Sequence, residues 1–278
     1  MIQRKRSLLV AVLLLIGLTI TGATLAQRWR RYGGWESVGR GDVPDWEVDH
    51  DFPHDMFTFV RIKYDSGGYG RSGGGWATDF RDSDLNFSLR LHQLTSLNVN
   101  PEPIVLELTD PKLFDYPWVY MIEPGRLSFH EPEVVALRRY LLNGGFMMVD
   151  DFWGEEEWDN FYYEIKRVFP DREPEEVPLS HEIFHCVYDM KEKPQVPAKD
   201  AWVNSGGRTW EPRYSDTSEA HYRAIKDDEG RIMVFICHNT DLGDGWEREA
   251  EHQGYFEEMS VKRAYPMGIN IVTYAMTH

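Results

Sequence analysis

Pro132-Glu133-Val134-Val135-Ala136-Leu137-Arg138-Arg139-Tyr140-Leu141-Leu142-Asn143-Gly144-Gly145-Phe146-Met147-Met148-Val149-Asp150-Asp151 is the stretch on which the fold turns. Pro132 suits a first helical position, where its missing N–H leaves no bond unmade. Val134, Leu137 and Leu141 share one face at helical spacing, so a helix runs to Leu142. Asn143-Gly144-Gly145 stops it, because glycine accepts the left-handed backbone that follows a last helical turn. Phe146 to Val149 comes at once as a fully apolar strand. A helix that drops straight into such a strand is the second half of a βαβ crossover, the connection that parallel strands require.

Working outward, Phe57, Phe59, Arg61 and Lys63 alternate with Thr58, Val60, Ile62 and Tyr64, which predicts one strand over 56–64. Six glycines then fall between Ser66 and Trp76, and Leu85, Leu89 and Leu94 predict a helix over 82–97. Ile104 to Leu108 and Trp118 to Ile122 are short apolar strands. On the other side, Trp158, Phe161, Tyr162 and Ile165 mark a helix over 155–168, with Glu155, Glu156 and Glu157 in its first turn and Lys166 and Arg167 in its last, both favourable to the helix dipole. Residues 170–216 are irregular and proline-rich. His221 to Ile225 and Ile232 to Cys237 flank Asp227-Asp228-Glu229-Gly230 as a hairpin. His238 to Glu258 reads as a polar loop, and Met267, Ile271 and Tyr274 predict a closing helix over 266–276. Strands alternating with helices give an α/β domain: a mainly parallel sheet covered on both faces, with a late antiparallel hairpin.

The chain begins with a different physics. Arg4, Lys5 and Arg6 precede an apolar run from Leu8 to Ile20, and Thr24 and Ala26 place small side chains before Gln27. This is a secretory signal pattern with cleavage expected after Ala26. The alternative is an uncleaved anchor, since Ser7 to Ala26 approaches the roughly 20 apolar residues that span a bilayer. Either way the remainder is expected outside the cytoplasm, in the periplasm or cell envelope, with membrane contact confined to residues 1–26 if they are kept. Residues 27–55 then form a linker or arm whose Trp29, Trp35 and Trp46 can dock on the domain spanning residues 56–278.

Removing the three basic residues of the segment 1–26 takes the formal charge from -16 to -19. A protein that neutralises phosphates needs clustered Lys and Arg, so nucleic acid is excluded as a partner. With 42% hydrophobic residues, ten Trp and fourteen each of Tyr and Phe, the chain can bury a large core. Two cysteines, Cys186 and Cys237, are too few for a disulfide scaffold and are expected to stay unpaired.

Ligands of open α/β sheets bind beyond the carboxyl ends of the strands. Those ends collect Gly67, Gly68 and Trp76 of the glycine-rich loop, Glu123, the pair Asp150-Asp151, and His238, Asn239, Asp241, Asp244, Trp246 and Glu247. The glycine-rich loop has no Walker-type lysine and is not a P-loop. Asp150 and Asp151 can divide the work of facing the crevice and capping the next helix. Asp241 and Asp244 are candidate ligands for a divalent cation, although the spacing is not that of a dedicated Ca²⁺ loop. No motif calls for a resident cofactor. His181-Glu182-Ile183-Phe184-His185 has the H-E-x-x-H form of a zinc protease, but Pro178 before it and a β-like Val187 to Asp189 after it leave little helix to present both imidazoles. No G-x-S-x-G elbow occurs. Clustered carboxylates should raise at least one pKa unless Arg61, Arg248 or Arg263 compensates.

Several segments in one order carry a family resemblance: Phe57 to Tyr64, Leu113-Phe114-Asp115-Tyr116-Pro117, Leu137 to Asp151, Lys166-Arg167-Val168-Phe169-Pro170, His181 to His185, and Asn239-Thr240-Asp241-Leu242-Gly243-Asp244-Gly245-Trp246-Glu247. From about Met56 to the C-terminus the chain resembles the bacterial domain of unknown function 4159. The resemblance implies a three-layer, flavodoxin-like sandwich similar to class I glutamine amidotransferases, and it makes the His181 to His185 run part of a turn. Where those enzymes carry a cysteine after the strand, this chain has Asp150-Asp151-Phe152-Trp153-Gly154. The expectation is an exported, non-glutaminase domain that binds a small ligand or an envelope partner. The rival is carboxylate- or metal-assisted hydrolysis, with Asp150 or Asp151 as base and Asp241 and Asp244 as metal ligands.

Overall fold

A computed structural model describes residues 43–48, 56–66, 75–213 and 215–278. The expected signal segment 1–26, most of the arm, and Gly67 and Gly68 lie outside the described residues. Within the arm, Trp46 is docked as expected: its Nε1 donates to Val99 O at 2.8 Å and its ring stacks on His92.

The main sheet has seven strands in the order β4-β2-β5-β6-β9-β8-β7. β2 (Val60–Lys63), β4 (Ile104–Glu107), β5 (Trp118–Ile122), β6 (Phe146–Asp150) and β9 (Ile232–His238) are parallel, whereas β8 (His221–Lys226) pairs antiparallel with β9 and the short edge strand β7 (Glu175–Glu176) pairs antiparallel with β8. The parallel sheet with a late hairpin is thus the architecture read from the sequence. The continuous apolar runs of β5, β6 and β9 are explained by cover on both faces. On one face Trp118, Tyr120, Met148 and Phe235 pack with Phe87 and Leu91 of α1 (Asp82–Leu94) and with Ile269 and Val272 of the C-terminal helix α6 (Tyr265–Thr277). On the other, Val119, Met121, Met147 and Ile236 pack with Leu137 and Leu141 of α2 (Glu131–Leu142) and with Phe161 and Ile165 of α3 (Gly154–Val168).

Two expectations are corrected. The single strand over 56–64 is split: β1 (Met56–Phe57) pairs with β3 (Asn98–Val99) in a separate two-stranded sheet, and β2 pairs with β4. The partner segment carries Pro101 and Pro103 between β3 and β4, and neither can donate to a ladder. The stretch 238–258 is not a loop either. It contains α5 (Leu242–Glu247), a short turn Gln253–Tyr255 and a π-helix, Phe256–Ala264, that runs directly into α6. Residues 170–216 are mostly irregular as expected, with one short helix, α4 (Lys199–Ser205). Both cysteines are free, Cys237 buried in β9 and Cys186 exposed. Among the described residues no helix is long and apolar enough to cross a membrane.

Candidate functional site: a carboxylate chamber at the strand ends

β5 and β6 are in register from Trp118–Phe146 to Ile122–Asp150, so their carboxyl ends finish side by side, with β9 next to β6. The connections that leave these ends are stitched together. Asp151 N donates to Thr240 O at 3.2 Å, Asn239 N to Phe152 O at 2.9 Å, and Gly154 N to Asn239 Oδ1 at 2.8 Å. The turns are sharp: Glu123, Asp151 and Asn239 have φ of 49°, 56° and 59°, and Asp79, just before α1, has 58°. These are the non-glycine residues with positive φ among the described residues, and all four stand around this edge. Left-handed backbone costs a residue with a Cβ about 1–2 kcal/mol, so the surroundings impose it.

Asp150 ends β6 on the face shared with Tyr120 and is fully buried. Its Oδ2 accepts from Tyr120 OH and from Gly243 N, both at 3.0 Å, while Oδ1 has no hydrogen-bond partner. Burial raises its pKa to about 7 against those stabilising donors. Asp151, next along the chain, accepts from Trp153 Nε1 at 3.1 Å. Its pKa is held well above the ordinary range by burial first, then by the charges of Glu123 and Asp79. Glu123 receives the N–H of Gly75, and its carboxyl is pushed up mainly by burial.

Asp241 caps α5, its Oδ1 accepting from Asp244 N at 2.7 Å. Asp244 Oδ2 accepts from Lys199 N at 2.6 Å and from Tyr255 OH at 3.1 Å. Burial raises both carboxyls; Asp151 and Asp79 add to the shift at Asp241. Glu247 is raised to about 7, again by burial, with Arg248 beside it opposing the shift. Of the three arginines named as compensators, Arg248 is the one within ion-pair distance, 3.6 Å from Asp244 Oδ1, while the charge of Arg61 lowers the Asp79 carboxyl from farther off. Arg263 pairs with Glu192, and Arg61 is committed to Asp84.

Asp79 completes the chamber, and no motif in the sequence announces it. One carboxylate oxygen from each of Asp79, Asp241 and Asp244 lies within 4.8 Å of the other two. Asp79 reaches this place because the fully buried Arg61 grips the preceding backbone, its Nη1 donating to Trp76 O at 3.1 Å and to Thr78 O at 2.8 Å. Tyr120 and Gly243 were missed for a similar reason: neither residue type signals a site on its own.

Other sequence candidates serve the frame. Trp246 is not on a crevice wall; its ring is fully buried in the core, 4.4 Å from the Phe87 ring centroid. Trp76 is half-buried and packs against the α2 and α3 side. His238 faces the same side, its ring near Phe152 and Trp158 and its Nε2 3.0 Å from Gly154 O; burial lowers its pKa to about 3. Asn239 is the clamp already described. His181 and His185 bracket a three-residue 3₁₀ turn, Glu182–Phe184, and His185 is occupied by Asp189 and Leu179 O. No helix presents them together, as the resemblance implied. Beside the chamber, a groove of about 450 Å³ is lined by Gly125, Arg126, Trp153, Glu157, Arg213 and Ser215 among others, so Trp153 separates it from Asp151.

The model of a family described as a domain of unknown function, DUF4159, matches residues 58–276. The chain belongs to that family. The DUF4159 region includes the whole seven-stranded sheet and every chamber carboxylate. No curated protein matches the chain.

Proposed function

We propose that this DUF4159 domain is a ligand-binding module of the cell envelope, and that its ligand is a cation or a cationic group held in the carboxylate chamber. The observation that carries the reading is the charge imbalance. Asp79, Glu123, Asp150, Asp151, Asp241, Asp244 and Glu247 converge, and among the described residues Arg248 is the cation within ion-pair distance of any of them. Buried carboxylates without counter-charge are costly, and a cationic ligand removes that cost. The signal pattern of residues 4–26 supports delivery to the envelope, and the strongly negative charge argues against nucleic acid.

Glutaminase chemistry is not part of this proposal. The turn between β6 and α3, where amidotransferase-like folds set their nucleophile, carries Asp151, while Cys237 lies within β9 and Cys186 follows the 182–184 turn. Native mass spectrometry of the full chain extracted from envelopes tests the reading. A bound species that is lost in Asp151→Asn, with no ammonia released from glutamine, is expected. A chain that emerges free of any bound species, or that hydrolyses glutamine, overturns it.

One observation favours the hydrolase alternative. Asp150, with its pKa near 7, is suited to general acid–base work. In that case Asp150→Asn would abolish turnover while leaving ligand binding in place.

A further inference from the structure

We infer that Asp79, Asp241 and Asp244 form a binding site for one hard divalent cation of about the size of Ca²⁺. The inference rests on the ligand-binding reading above and gives its ligand a chemistry.

The first support is spacing. Oxygens bound to one Ca²⁺ at 2.3–2.6 Å stand at most about 5 Å apart across the ion. The three carboxylates already offer one oxygen each within 4.8 Å of the others, Asp241 and Asp244 from one helical turn and Asp79 from a segment far away in sequence. The second support is an unsatisfied ligand atom. Asp79 Oδ2 is closed to solvent and no backbone N–H or fixed donor reaches it; the side chain it faces is another carboxyl, Glu247. It leans over the first turn of α5, where a Cβ on Gly243 would meet it at 2.9 Å. Gly243 lies between Asp241 and Asp244, so this oxygen stands beside the turn that carries the other two carboxylates. An enclosed carboxylate oxygen without a donor is among the costlier features a fold can carry, and a cation is the partner that suits it.

The third support is orientation. Metal-binding carboxylates are held by outer hydrogen bonds that fix how they point. Asp244 is held through Oδ2 by Lys199 N and Tyr255 OH, Asp241 through Oδ1 by Asp244 N, and the backbone before Asp79 by Arg61. No histidine or cysteine belongs to the trio, and an all-oxygen site favours Ca²⁺, Mg²⁺ or Mn²⁺ over softer metals.

The test uses the full chain in mild detergent, stripped with a chelator and titrated calorimetrically with CaCl₂, MgCl₂, MnCl₂ and ZnCl₂. One ion per chain is expected, with Ca²⁺ or another of the hard ions preferred to Zn²⁺. Asp79→Asn should weaken binding at least about tenfold, since a charged ligand becomes neutral. The same variant should melt no lower than the wild type when cation-free, because one carboxyl of a crowded acidic group is neutralised and the new amide can still donate to Glu247. Tb³⁺ luminescence sensitised by tryptophan gives a second readout on the same proteins. Absence of uptake of every hard ion at millimolar concentration, or wild-type affinity in Asp79→Asn, overturns the site. If no cation binds but an envelope-derived species still co-purifies, the cation site falls and the ligand reading stands. Cation uptake by a chain that carries no envelope-derived species supports the site and overturns the reading that the chain leaves the envelope with its ligand bound.

Discussion

Gly243 N donates to Asp150 Oδ2 at 3.0 Å, joining the end of β6 to the first turn of α5 across 93 residues of sequence. The approach is possible only without a side chain. A Cβ at position 243 would stand 2.8 Å from Tyr120 OH, 2.9 Å from Asp79 Oδ2 and 3.2 Å from Ile122 Cδ1. Gly243→Ala is therefore expected to destabilise the fold by about 1–3 kcal/mol through overpacking. Denaturant unfolding of the two proteins measures it.

Asp150 makes stability depend on pH in a definite direction. Its folded pKa is raised to about 7 from the ordinary 3.8. Below about pH 4 the group is protonated in both the folded and the unfolded chain. Between there and pH 7 the unfolded chain releases the proton while the folded one keeps it, so stability falls as pH rises through that window. At about 1.4 kcal/mol per pKa unit the loss amounts to about 4 kcal/mol. Asp150→Asn, which cannot ionise, should lack this loss, so unfolding with chelator present should show the variant gaining on the wild type from pH 4 to 7. Parallel curves would contradict the assignment.

Arg61 and Asp84 are both fully buried and paired, with Arg61 Nε 3.0 Å from Asp84 Oδ2. Removing one partner strands the other charge, so Asp84→Asn should cost about 3–5 kcal/mol. Replacing both with apolar residues, Arg61→Met with Asp84→Leu, should cost less. That double variant also frees the carbonyls of Trp76 and Thr78, and with them Asp79. It should therefore bind the cation more weakly than the wild type, a result that calorimetry on the same samples reads directly.

The N-terminal pattern gives a fourth expectation, that the chain recovered from envelopes begins at Gln27. Intact mass decides it, and a mass that includes residues 1–26 would establish the anchor instead.

The frame was legible where one residue type has one physical meaning. The apolar runs 118–122, 146–149 and 232–237 read as strands because strands covered on both faces admit little else. Asn143-Gly144-Gly145 read as a stop, and Gly144 indeed has φ of 100°. Legibility failed where a residue's reason lies on another segment. The break at Thr58-Phe59 follows from Pro101 and Pro103 on the neighbouring segment. In α5, Gly243 and Gly245 resemble a loop, yet each is a point of close approach: a Cβ at 245 would lie 2.5 Å from Ala264 Cβ. The strand-end rule found Asp150, Asp151, Asp241 and Asp244 because they follow strands in sequence. It could not find Asp79, which stands at the far end of the long connection from β2 to α1 and is carried into place by the grip of Arg61.

Trp246 belongs to the core, yet it shares α5 with Asp244 and Glu247 and its Nε1 has no hydrogen-bond partner. An indole so enclosed is shielded from solvent quenchers, while its emission still responds to the electric field of charges on its own helix. Each proton or ion gained by the neighbouring carboxylates changes that field. The protein thus contains its own optical gauge: one of its ten tryptophans registers the electrical state of the acids above it without any label being added.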